Sequence, residues 1–93
     1  MKVYQIDYDL RKNRNYEALY ERIKKYPAWC RPLESAWVIQ TTQSAAQIRD
    51  YLVGALDTDD GLLVTRLSGE AAWRKIDPKV SEYLKNLLER AAA

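Results

Sequence analysis

The chain has 93 residues, with fifteen Lys and Arg against thirteen Asp and Glu, a formal net charge of +2. That length makes one domain, and so even a charge balance gives no overall field that would by itself signal nucleic acid. With no histidine and a single cysteine, His-based triads, His-ligated zinc and an intrachain disulfide are excluded.

The apolar content is carried by seven Tyr and three Trp with no Phe. These side chains combine apolar area with a polar tip and suit interfaces and partly wet cores. A domain of this size buries only about 60–70% of the surface of its unfolded chain, so association would help it. Cys30, in Ala28-Trp29-Cys30-Arg31, reads as a core thiol in a reducing compartment. No apolar run approaches membrane length and no signal peptide is evident, so the expected location is the cytoplasm, with no membrane partner.

The segment from Val3 to Leu10 reads as a strand. Alternation puts Tyr4, Ile6 and Tyr8 on one face and Val3, Gln5, Asp7 and Asp9 on the other, so the strand carries carboxylates to its C-terminal end. Arg11 to Asn15 is a polar loop containing Arg11, Lys12 and Arg14. Asn15 is placed to cap a helix, with Glu17 in its first turn. Tyr16, Leu19, Tyr20, Ile23 and Tyr26 follow helical spacing up to Pro27, which ends the helix.

Residues 28–33 and 36–41 read as two short strands, because Pro32 confines its strand to an edge or a bulge. Ala36-Trp37-Val38-Ile39 is apolar on both faces, as a central strand requires. Thr42 or Ser44 can cap a second helix through Ala45, Ile48, Leu52 and Ala55. Asp57-Thr58-Asp59-Asp60-Gly61 is a turn whose spacing lacks the ligands of a calcium loop. Leu62 to Leu67 forms a fourth strand, broken by Ser68-Gly69. Asp77-Pro78 starts a last helix with the stripe Val80, Tyr83, Leu84, Leu87 and Leu88.

Two helices in crossover connections cover one face of such a sheet. The other would show apolar side chains of the strands around Val38 and Val64, so it needs the last helix or a second subunit. The expected organisation is α+β: a domain over residues 1–69 and a C-terminal extension over 70–93 whose amphipathic helix packs on the domain or on a partner.

Tyr8-Asp9 at the end of the first strand, Glu34-Ser35-Ala36-Trp37-Val38, and Leu56-Asp57-Thr58-Asp59-Asp60 before Leu62 to Leu67 resemble features of a known family. It is that of the CRISPR-associated small adaptation endonucleases (Cas protein two) and the related virulence-associated protein D. The resemblance covers about residues 1–67. It implies a ferredoxin-like βαββαβ domain, here with an additional C-terminal helix, that pairs as a homodimer. It also implies that the aspartate at position 9 comes from both subunits to a cleft where a divalent cation binds. The segment from Ala71 to Ile76 and the last helix depart from that pattern, where the family commonly has a short strand crossing to the partner.

The chemistry this implies is a Mg²⁺- or Mn²⁺-dependent endonuclease acting on RNA or DNA. Asp9 would be the catalytic and metal-binding residue, and Arg11, Lys12 and Arg14 would hold the phosphate backbone. The opposing reading makes Asp9 the organiser of a strand-to-loop turn. The protein is then a non-catalytic homodimeric module binding nucleic acid or protein. Trp73, beside Arg66, Arg74, Lys75 and Lys79, is either a lid over the sheet or a platform for a base.

Overall fold

The computed structural model describes residues 1–12 and 15–92. Four strands form one antiparallel sheet: β1 (Lys2–Asp9), β2 (Ala28–Leu33), β3 (Ala36–Thr41) and β4 (Gly61–Arg66). Three helices, α1 (Glu17–Ile23), α2 (Ala45–Val53) and α3 (Pro78–Ala92), complete a mixed α+β fold. The strand order is β2-β3-β1-β4, so β2 and β4 are the edges.

The alternation along β1 divides the molecule. Tyr4, Ile6 and Tyr8 join Leu19 and Ile23 of α1, Ile48 and Leu52 of α2, and Trp37 and Ile39 in one core. Val3 points the other way, into a second core with Cys30, Val38, Leu84, Leu87 and Leu88. The final helix is therefore a covering layer of the sheet. It covers only part of that face. In the row Leu33–Ala36–Asp7–Leu63, set by the strand register, Leu33 and Leu63 stay exposed.

The sequence punctuates these elements as expected, with two shifts. Ser44 rather than Thr42 caps α2, and its hydroxyl and the Gln47 side chain satisfy each other's backbone N–H groups in a capping box. Asp77 accepts from the backbone N–H of Lys79 and Val80 at the start of α3. The first helix is shorter than its aromatic spacing suggests. Its last turn tightens to bonds three residues back, Lys25 N to Arg22 O and Tyr26 N to Ile23 O, before Pro27. Asn15 does its capping one residue early: its side chain accepts from Glu17 N at 2.9 Å, while Tyr16 occupies the cap position. Pro32 lies in the register shift between Cys30 and Leu33, on an edge strand, where its missing N–H breaks no ladder. No helix among the described residues is long and apolar enough to cross a membrane.

Candidate functional site

Asp9 ends β1 opposite Gly61, at the rim of a shallow groove lined by Asp7, Leu62 and Leu63. Its side chain is 73% exposed and accepts from Arg11 Nε at 3.2 Å. Asp7, two residues earlier on the same face, accepts from the Gln5 amide at 3.1 Å and 3.2 Å.

The basic residues that follow turn inward on the acidic turn. Arg11 donates from its backbone N–H to Asp60 Oδ1 at 2.8 Å and from Nη1 to the Asp59 carbonyl at 2.6 Å. Lys12 Nζ lies 3.0 Å from Asp59 Oδ2. Arg14 lies outside the described residues. Asp60 is the hub of this corner, since it also accepts from the Tyr16 hydroxyl and from Asp57 N. The acidic turn thus fastens the exit of β1 to the entrance of β4. Its sequence shows a turn but gives no sign that the turn holds the loop after β1.

Could this corner hold a resident divalent cation? Mg²⁺ needs near-octahedral oxygen ligands and is usually held by one or two carboxylates plus substrate phosphates. One chain offers Asp9, which already faces a guanidinium. Among the described residues no group of three or more acidic or cysteine side chains is placed to hold a metal ion. At this rim Asp7 and Asp9 are the carboxylates of one chain, and each already faces a side chain of its own, Gln5 and Arg11.

Tyr8, the other half of the Tyr8-Asp9 pair, is built into the fold. Trp37 Nε1 donates to its hydroxyl at 2.9 Å, Arg31 Nη2 donates at 3.4 Å, and the hydroxyl donates to the Glu34 carbonyl at 3.0 Å. Burial pushes its pKa up, opposed by the Trp37 bond and the Arg31 charge. Burial likewise pushes the Cys30 thiol up to about 11, which keeps it protonated and inert near neutral pH.

A different surface brings cations and aromatic rings together. Along the seam of α1 and β2, Lys24 Nζ lies 5.6 Å from the centre of the Trp29 ring. The Arg31 guanidinium lies 4.7 Å from Tyr20 and 5.1 Å from Trp37. Arg22 sits 5.4 Å over Tyr51, on α2. Trp29 and Tyr51 remain 37% and 38% exposed. Among the described residues, Arg22, Lys24, Lys25 and Arg31 form no ion pair with an acid, in contrast to Arg11 and Lys12. The signal was present in the sequence as Lys24-Lys25-Tyr26-Pro27-Ala28-Trp29-Cys30-Arg31. From the sequence alone it reads as the end of a helix and a core strand, because only the fold shows that Trp29 and Arg31 share the face on which α1 lies.

Trp73 is 40% exposed and donates to Ser81 Oγ at 3.2 Å. It covers a cavity of about 260 Å³ between the sheet and the segment before α3, whose other walls include Gln5, Leu33, Ala36 and Ile76. It is a lid over the sheet, and the neighbouring Arg66, Arg74, Lys75 and Lys79 are exposed. Comparison of the chain with protein-family models, with curated proteins and with solved structures finds no match.

Proposed function

We propose that this chain is a homodimeric nucleic-acid-binding module of ferredoxin-like topology, and that it binds through the seam of α1 and β2. The strand order β2-β3-β1-β4, with α1 and α2 each crossing over a neighbouring strand, supports the topology. One observation carries the binding surface. Among the described residues Arg22, Lys24, Lys25 and Arg31 form no ion pair with an acid, and three of them lie over aromatic rings, two of which belong to exposed Trp29 and Tyr51. Aromatic faces for bases beside cations for the backbone are how single strands are held without sequence preference.

Anisotropy of short labelled single strands of RNA and DNA tests this directly. Trp29→Ala removes a stacking contact of about 1–3 kcal/mol, about 5–150-fold in affinity. Lys24→Gln lowers the slope of log affinity against log salt by about 0.7. Binding unaffected by either change would overturn the assignment.

A second reading is a Mg²⁺- or Mn²⁺-dependent endonuclease with Asp9 drawn from two copies. It is favoured by the exposure of Asp9 at an open rim. Incubating RNA and DNA with each cation separates the two. The binding module leaves the strands intact, whereas cation-dependent cleavage lost in Asp9→Asn would establish the endonuclease.

A further inference from the structure

The two edges of the sheet are unlike each other. On β2 the free edge is broken by Pro32 and by the register shift between Cys30 and Leu33, devices that discourage pairing with another strand. On β4, Gly61-Leu62-Leu63-Val64-Thr65-Arg66 has no proline, no bulge in its register with β1, and no charge before Arg66. An uninterrupted apolar edge is a template for another strand.

The hydrogen-bonding phase of that edge follows from the structure. Leu67 N donates to Val3 O at 2.9 Å, and Tyr8 N donates to Ser35 O at 3.2 Å. Odd residues of β1 therefore bond to β4, and even residues to β3. In β4 the groups of Gly61, Leu63 and Thr65 face β1, so those of Leu62, Val64 and Arg66 face outward. Beside this edge the chain leaves a groove lined by Ala45, Ala46 and Arg49 of α2 together with Leu62, Leu63 and Val64.

Which occupant does the edge fit? An antiparallel strand related by a two-fold axis must pair residues of equal parity, or the faces of the sheet would not match. Centring the axis on Leu63 sets Leu63 against Leu63 of the other copy, Leu62 against Val64, and Gly61 against Thr65. It also sets Arg66 against Asp60. Arg66 is exposed and has no acid partner among the described residues. Asp60, just before β4, accepts from Arg11, Tyr16 and Asp57 within its own chain. Centring on Val64 would instead set Arg66 against Leu62. Charge complementarity selects the first register.

We infer that β4 pairs antiparallel with β4 of a second copy, centred on Leu63, to form a continuous eight-stranded sheet. This rests on the homodimer in the reading above and specifies its interface. The Leu62–Val64 pairs exchange backbone hydrogen bonds, and Leu63, 60% exposed in one chain, is covered by its own copy. The two Asp9 residues then lie three strand spacings of about 4.8 Å and four residues of about 3.3 Å apart. That is about 20 Å, too far to share one cation. The edge dimer therefore agrees with a binding module and not with an Asp9 site shared across the two-fold.

Sedimentation and cysteine cross-linking test the register. In a non-hydrogen-bonded pair the facing Cα atoms are about 4.5 Å apart, within disulfide range. Under mild oxidation Leu63→Cys should give a covalent dimer, and Thr65→Cys, which faces Gly61, should not. The unmodified chain, whose only thiol is buried, is the control. Leu63→Lys and Arg66→Asp should sediment as monomers at micromolar concentration with unchanged circular dichroism. A dimer that fails to cross-link through Leu63→Cys, or that survives Leu63→Lys, would overturn the edge pairing and leave the homodimer standing. An unmodified chain that sediments only as a monomer would overturn both.

Discussion

Tyr8→Phe removes one oxygen from the most connected side chain of the first core. Trp37 is 1% exposed, and its indole N–H has Tyr8 as its partner at 2.9 Å. Without the hydroxyl this donor is buried and unsatisfied, at a cost of about 1–3 kcal/mol. The Glu34 carbonyl loses a donor as well, but Arg31 still reaches it at 2.7 Å and 3.1 Å, so no acceptor is orphaned. The Trp37 penalty therefore dominates, and we expect a loss of about 2 kcal/mol. At about 4–8 °C per kcal/mol for a domain of this size, the melting temperature falls by about 8–16 °C. Thermal and urea unfolding followed by circular dichroism read this out. Tyr4→Phe is the control, because its hydroxyl donates only to the Gln43 carbonyl and its loss costs about 1 kcal/mol. If Tyr8→Phe melts with the unmodified chain, the hydroxyl does not hold Trp37, and Tyr8 must be explained by function instead.

Three further outcomes follow from packing and ionisation. Leu87→Ala empties a 1%-exposed position in the second core and should cost about 2–5 kcal/mol in urea unfolding, which an α3 that merely rests on the sheet would not show. Gly69 has φ +112°, and a Cβ there would lie 2.7 Å from Ala92 Cβ and 3.1 Å from the Leu88 carbonyl. Gly69→Ala should therefore displace the last turn of α3 at a cost of about 1–3 kcal/mol, seen as faster amide exchange at Ala91 and Ala92. Burial raises the Cys30 thiol from 9.0 to about 11, so its stabilising contribution is complete below pH 9 and is lost as the pH rises towards 11. In that window the unfolded state has released the proton and the folded state has not, so stability falls with pH. Cys30→Ala should flatten this part of the stability–pH curve, and an unchanged slope would refute the assignment.

All seven elements were legible in the sequence because each is marked by local chemistry. Alternation writes β1, Ser44 and Gln47 write the start of α2, and Asp77-Pro78 writes the start of α3. The length of α1 was not, because Tyr26 keeps helical spacing although it packs from the turn after the helix. Periodicity reports which side chains face the core, not whether the backbone between them is helical. The placement of Asp9 at an exposed strand end could be read from parity alone. That Arg11 and Lys12 turn onto Asp59 and Asp60 could not, since nearly fifty residues separate them. The cation–aromatic seam was hidden although its partners are close in the chain: Lys24 meets Trp29 and Arg31 meets Tyr20 only once α1 packs on the sheet, and Arg31 meets Trp37 across the β2–β3 pairing. Contacts of this kind are set by topology.

The most direct test of the central claim is the salt dependence of single-strand binding by the unmodified chain, measured beside Trp29→Ala and Lys24→Gln. A binding seam predicts affinity that falls steeply with salt, a loss of about 1–3 kcal/mol on removing the Trp29 ring, and a slope shallower by about 0.7 without the Lys24 charge. An unmodified chain that binds neither RNA nor DNA at low salt would contradict it.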